Sequence, residues 1–513
     1  MIRPFLTVSM GTLASRLLGF ARDAMVAALL GAGPVADAFL LAFQLVNVVR
    51  RLLTEGALNN ALVPIWLAAK ETKGTNAASA FAGRVLGTIS MALIAATLAA
   101  GLLMPLIIAA LAPGFATTTL QLAVNDARLM LPYLAFAGPA TVTMALLNAQ
   151  GRFALTAFAP LFFNGTLIAV MVVLLFRRWD EFHAGFGIAA TVGVAGLMQL
   201  LILILRSRGS HFATPLRVAF DSEMRGFVAR AVPGMVAGAG PQLLIVVGAI
   251  VASSSSSAVS WLYFANRLIE LPLGIVGVAV GAVLVPELAR TVHADDQSAT
   301  IHAQSRGLEL ATGLALPAAL GLIALSEPVV RLLFQHGAFV ASDTTGTAQA
   351  LAWLALALPA QVLTKATSPA FFARGDTVTP LWATLKGLAV TIVVAVMLDR
   401  SFGIRGISVA IALGAWSGAL SLIRRSLTTF GFSIDAAARH RLPRIVAAAL
   451  AMGGLLWLAV PFVLSSADPS GPLHLLLVAA LIAGGIALYG LFLSLLGVID
   501  WNEAIRAVRR TGV

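Results

Sequence analysis

The sequence predicts an all-α polytopic membrane protein with about 14 transmembrane helices, arranged as two pseudo-symmetric six-helix lobes plus two C-terminal helices. Composition, the length of the apolar runs and a weak internal repeat predict it. Of 513 residues, 59% are hydrophobic and 11% charged, and the mean hydropathy is +0.94. That leaves too little polar surface to cover a soluble globule of this length. In lipid, backbone polar groups must be satisfied within the chain, so only helices or a closed barrel can span. The runs here are about 20 apolar residues rather than alternating segments of about 10, which selects helices.

In order, the apolar segments are 5–30, 35–68, 80–111, 119–149, 155–176, 185–205, 226–252, 258–289, 307–325, 345–373, 378–398, 405–423, 443–464 and 474–498. The first two are broken only at Gly31-Ala32-Gly33-Pro34, and the Ser253–Ser257 run divides the seventh from the eighth. The start carries a single early Arg3 and no small-residue cleavage signature, so it reads as a retained span. Basic residues mark the remaining joints: Lys70, Lys73 and Arg84 after the second span, Arg152 after the fourth, five arginines from Arg206 to Arg230 after the sixth. Counted from a cytoplasmic start, inner loops hold 21 of the 34 Lys and Arg and outer loops only five. That asymmetry places both termini in the cytoplasm. It also accounts for the net charge of +12 through anionic headgroups facing separate short loops, with no nucleic-acid partner.

The repeat has an offset of about 222 residues. It sets Ala38-Phe39-Leu40 on Ser260-Trp261-Leu262, Leu62-Val63-Pro64 on Leu284-Val285-Pro286, Pro113-Gly114-Phe115 near His336-Gly337-Ala338-Phe339, and Gln150-Gly151-Arg152 near Arg374-Gly375-Asp376. An even number of spans per half makes the repeat parallel. The expected division is an N-terminal lobe at 1–215, a C-terminal lobe at 216–430 and a helix pair at 431–513. Two lobes with polar residues at mid-depth suit alternating access.

Charges inside the first spans point to the cargo. Arg16 and Asp23 share one face of span 1, seven residues apart, and Ser15 and Arg22 share another. On span 2, Asp37, Gln44, Asn47, Arg51 and Glu55 form a stripe flanked by Arg50, and the second half carries Tyr263, Arg267 and Glu270. Arg51–Glu55 and Arg267–Glu270 have the spacing of structural ion pairs. Arg128 and Lys386, near span ends, read as snorkelling side chains. Arg16, Arg22, Arg50 and Arg267 lie deeper, where each charge costs about 2.5–3.5 kcal/mol to insert. The first three have no carboxylate three or four residues away on their own helix. Unless acids on other helices neutralise them, an anionic ligand is the expected partner. A planar, permanently charged fork suits phosphate or carboxylate oxygens, with a diphosphate headgroup first and a carboxylated small molecule second.

The run Ser15-Arg16-Leu17-Leu18-Gly19-Phe20-Ala21-Arg22-Asp23, then Gly31-Ala32-Gly33, Ala36-Asp37-Ala38-Phe39, Asn47, Arg50-Arg51, Glu55-Gly56-Ala57 and Trp261 to Pro272, resembles the MurJ (MviN) lipid II flippases over the whole chain. The resemblance implies a member of the multidrug/oligosaccharidyl-lipid/polysaccharide exporter superfamily in the bacterial inner membrane. Such a protein carries undecaprenyl-diphosphate-linked disaccharide-pentapeptide (lipid II) to the outer face for peptidoglycan synthesis. It implies that Arg16, Arg22, Arg50 and Arg267 line a central cavity and hold the diphosphate. Asp23, Asp37, Gln44, Arg51, Glu55, Asn266 and Glu270 would balance cavity charge, and the two last helices would lead the polyprenyl tail. Membrane lipids are expected neighbours, and the same resemblance leaves room for contacts with other cell-wall synthesis proteins. Gln44 and Asn266 stand where relatives often have Lys and Asp.

Other classes predict different features. No cysteine is present and no lysine follows a glycine, so thiolate metal sites and a GxxxxGK[ST] nucleotide loop are excluded. No cofactor, metal or catalytic residue is expected. Spans 7 and 12 hold no acid for a carboxylate-based sodium site. Asp180-Glu181 with His183, and Asp295-Asp296 with His293, would be the candidates for a membrane glycosyltransferase or phosphatase. Both read as solvated loop charge. Another lipid-linked oligosaccharide flippase or a small-molecule antiporter of the same superfamily is the alternative transporter.

Overall fold

The computed structural model describes residues 2–54, 57–207, 217–219, 221–279, 284, 287–288, 290–291, 296–430, 433–464 and 471–498. Among them there is no strand. The helices are α1 (Ile2–Leu30), α2 (Pro34–Thr54), α3 (Ala57–Leu111), α4 (Thr117–Met130), α5 (Pro132–Ala149), α6 (Phe153–Arg177), α7 (Glu181–Ser207), α8 (Ser222–Gly238), α9 (Gly240–Ala252) and α10 (Ala258–Ala279). They continue with α11 (Gln297–Ala324), α12 (Ser326–Phe334), α13 (Ala341–Leu354), α14 (Ala357–Phe372), α15 (Val378–Phe430), α16 (Ala436–Leu464) and α17 (Pro472–Leu495).

Seven helices among the described residues are long and apolar enough to cross a bilayer, or nine when the bent pairs α4–α5 (41°) and α13–α14 (45°) each count as one. Two physical reasons account for part of the difference from the expected fourteen. First, α3 and α15 run 55 and 53 residues, broken in φ/ψ at Gly74 and Gly403. At about 1.5 Å per residue each is long enough for two passes of a core about 30 Å thick. Second, α1 and α2 fall outside the count through the polar and charged residues they carry.

Local chemistry sets several helix ends. Asp221 caps α8 by accepting from Met224 N (2.8 Å) while pairing with Arg84 (3.0 Å). Asp296 caps α11 through Ala299 N (3.0 Å), which with Ser298 holds its exposed carboxyl below the usual range. Asp180, ahead of α7, is exposed and bonded to His183, again with a lowered carboxyl pKa. These acids do cap and surface work; Asp295 and His293 lie outside the described residues.

The chain forms two compact units, Met1–Tyr263 with Phe334–Asp343, and Phe264–Leu333 with Thr344–Val513. In the first, Leu62, Trp66, Phe81, Val142, Leu146, Leu203 and Phe227 pack one apolar core, with Phe81 edge-on to Phe227. At the end where α1 meets α2, two loops close reciprocally. Gly114 N donates to Ser253 Oγ (3.1 Å) on the α9–α10 turn, and Ala338 N donates to Ala28 O (2.9 Å) beside the α1–α2 turn. Under the 222-residue offset Gly31 maps to Ser253 and Gly114 to His336, so each loop packs on the turn of the other half.

In the second unit, α11 packs along α16 and α14, and α16 along α17. Phe371 meets Phe430 edge-on (5.1 Å), and Arg374 sits over the Phe430 ring at 4.2 Å. Side-chain contacts tie the C-terminal helices to α11, among them the Arg441–Glu309 ion pair (3.7 Å). Tyr489 donates to Gly313 O (2.8 Å). Asp435 caps α16 through Ala438 N (2.7 Å), faces His302 Nδ1 (3.0 Å) and donates its own N–H to Ser305 Oγ (3.0 Å).

Two outcomes follow from these joints. Gly337 has φ +60°, and a Cβ there would lie 2.3 Å from Ala28 O. Gly337→Ala is therefore expected to lower thermal stability by at least the about 1–2 kcal/mol of a left-handed L-residue, measured by detergent-phase melting. Asp435, held low chiefly by the Ala438 N–H, contributes stability that is present above the ordinary carboxylate pKa and is lost as pH falls through its own lower one. Asp435→Asn should melt below the parent at pH 7, and the gap should close as pH drops below about 4.

Candidate functional site

Two of the charges singled out on α1, Arg22 and Asp23, meet at one point. Arg22 is 7% exposed and Asp23 1%. Nε and Nη2 of Arg22 donate to Asp23 Oδ1 (2.9 and 2.6 Å), Nη1 donates to Asn164 Oδ1 on α6 (3.0 Å), and the guanidinium carbon sits 4.8 Å from the Phe43 ring centre. Tyr263, the first residue of the second-half stripe, donates to the same Asp23 oxygen (3.3 Å). The expectation that no acid on its own helix compensates Arg22 is thus corrected. Neighbours one apart point about 100° away from each other around a helix, but the long arginine stem lets its fork swing round to the adjacent carboxylate.

On α2 the stripe divides by depth. Asp37 is 2% exposed and serves another helix: Oδ2 accepts from Ser257 N (2.8 Å), and Oδ1 accepts from Ser260 N (2.8 Å) and Ser260 Oγ (2.5 Å). It caps the N-terminus of α10 from α2, where backbone N–H groups and the helix dipole favour an anion. Ser257 Oγ adds a bond to Ala32 O (3.0 Å). After the buried Gln44 (7% exposed), the helix turns to Asn47, Arg50 and Arg51, all half-buried, with Arg50 Nε donating to Asn47 Oδ1 (3.3 Å). Arg22 and Arg50 both act electrostatically on the buried Tyr133 hydroxyl of α5, so they share a neighbourhood. Arg16 is half-buried on α1. Glu55 lies outside the described residues.

On α10, within the second unit, Arg267 Nη1 donates to Glu270 Oε2 (2.7 Å) and Asn266 Nδ2 to Glu270 Oε1 (3.1 Å). The i,i+3 ion pair foreseen from spacing is formed, with Asn266 holding the second carboxylate oxygen. Among the described residues no group of three or more His, Asp or Glu has the arrangement of a metal site.

Sequence reasoning passed over Asn164, Tyr133, Phe43 and Ser260. Asn164 had a visible signal as the one amide in the apolar run 155–176. The others read as ordinary span residues until α5, α2 and α10 are brought against α1.

Comparison with known proteins places this arrangement in a family. The family model for the lipid II flippase MurJ matches residues 26–469. A probable lipid II flippase MurJ of Rhizobium meliloti (strain 1021) is 37% identical over 517 residues, covering 99% of this chain and 96% of the relative. The lipid II flippase MurJ of Burkholderia cenocepacia is 31% identical over 472 residues, covering 90% and 91%. Among solved structures, a lipid II flippase MurJ in an inward closed conformation superposes with TM-score 0.79 at 22% identity, covering 96% of this chain and 98% of that one. An inward-facing multidrug resistance MATE transporter gives TM-score 0.66 at 16% identity over 86% and 98%. With its arginine-bearing first helices carried on that shared fold, the chain is a multi-pass membrane protein that belongs to the lipid II flippase MurJ family.

Proposed function

We propose that this chain flips lipid II, the undecaprenyl-diphosphate-linked peptidoglycan precursor, from the cytoplasmic to the periplasmic leaflet of the bacterial inner membrane by alternating access. Arg16, Arg22, Arg50 and Arg267 bind the diphosphate, and both termini are cytoplasmic. Asp23, Asp37, Gln44, Arg51, Glu55, Asn266 and Glu270 balance the charge around them. The working division is the N-terminal lobe 1–215, the C-terminal lobe 216–430 and the helix pair 431–513. Cell-wall synthesis proteins are the expected neighbours in the membrane.

One observation supports this reading above the others: Arg22 is 93% buried in an apolar bundle, yet uses only three of its five N–H groups on Asp23 and Asn164. Two N–H groups, one on each terminal nitrogen, have no partner among the described residues. Such a pair suits two oxygens of a phosphate. Asp23 offsets the cost of burying the guanidinium in a low-dielectric surrounding. Membership of a lipid II flippase family supports reading that phosphate carrier as lipid II.

The pairing refines how the site is tested. Removing Arg22 takes one ion pair from Asp23, and removing Arg267 takes one from Glu270, so alanine variants combine lost binding with a lost buried ion pair. Lysine keeps the charge and loses the fork. Arg22→Ala and Arg267→Ala are expected to abolish complementation of a strain depleted of the chain, and Arg22→Lys and Arg267→Lys to support slow growth at normal membrane levels by immunoblot. Normal growth with both alanine variants overturns the assignment of the arginines.

A further inference from the structure

We infer that Asn164 on α6 is a positioning residue for substrate binding, setting the plane of the Arg22 guanidinium so that its unused N–H pair faces the diphosphate; this rests on the function proposed above. The geometry begins two helical turns earlier on α6. There α1 and α6 approach so closely that a Cβ on Gly11 would fall 2.7 Å from the Ala157 Cβ. That approach brings the short Asn164 side chain within reach of α1 on both sides of its amide. Nδ2 donates to Ser15 O (3.3 Å), and Oδ1 accepts from Arg22 Nη1 (3.0 Å).

This amide has one workable orientation. Turned over, Nδ2 would face a guanidinium that can only donate, and Oδ1 would face a carbonyl that can only accept. Asn164 is 6% exposed, so its amide is largely screened from bulk water. Asp23 grips one edge of the guanidinium through Nε and Nη2, and Phe43 covers a face at 4.8 Å. Asp23 alone leaves the group free to swing about that edge. A second anchor on Nη1, tied to the α1 backbone at Ser15, removes the swing. A bidentate fork needs such a fixed plane, whereas a point charge has none to fix.

A packing role and a positioning role separate in a double-mutant cycle. The full-length chain in nanodiscs is titrated with fluorescent lipid II, for the parent, Asn164→Leu, Arg22→Lys and the double variant. Asn164→Leu is expected to weaken binding about tenfold in the Arg22 chain, the size of one buried hydrogen bond to a charged group, and to change nothing further in the Arg22→Lys chain. Equal losses in both backgrounds would show that Asn164 acts only through helix packing and would overturn the inference. If Arg22→Lys itself binds lipid II as tightly as the parent, the failure lies with the diphosphate reading instead.

Discussion

A charge inside an apolar helix bundle must be met by a partner, and in the first unit the partner of last resort is a single carboxylate oxygen. Asp23 Oδ1 receives two N–H groups of Arg22 and the hydroxyl of Tyr263. Everything else at the site is arranged around that atom. It fixes which way the Arg22 side chain turns, and the turn brings Nη1 to Asn164 on α6. It also draws the start of α10 toward α1. Paired in this way, the guanidinium can be buried without a ligand while two N–H groups stay unused.

The second organising contact is Asp37. It spends both oxygens on the first turn of α10, where Ser257 and Ser260 supply backbone N–H groups that no preceding turn can satisfy. The cost of burying this carboxylate is thereby offset by a helix end rather than by an arginine. Beside it, the loops at Gly114 and Ala338 close on opposite turns by backbone N–H groups, at positions that correspond within two or three residues under the 222-residue offset. A charge and a pair of glycine-dependent contacts thus hold the same end of the bundle. Contacts of this kind can be broken and remade without repacking a hydrophobic core, as a transporter that changes shape requires.

Composition and the length of the apolar runs made the fold class legible, and the Ser253–Ser257 run correctly marked a turn between two helices. The charged stretches at 70–76 and 399–405 likewise marked joints between spans, and the backbone departs from helix there at Gly74 and Gly403. At the site, spacing found the Arg267–Glu270 pair because it obeys the helical repeat. The Arg22–Asp23 pair breaks that rule through side-chain length, which a helical wheel does not represent. Asn164 carries no periodicity, since one amide in an apolar span has no pattern to join. The destination of Asp37 depends on α2 meeting α10, a tertiary fact with no local signature.

These side chains belong to transport if the chain moves a diphosphate-linked headgroup across the bilayer. The most direct measurement is the leaflet distribution of lipid II in host cells after the chain is depleted, read by a reagent that reaches only the outer face. Lipid II gathering in the cytoplasmic leaflet while the outer pool empties is the expected result. An outer pool that persists at its normal level, with lipid II still crossing, would contradict the assignment.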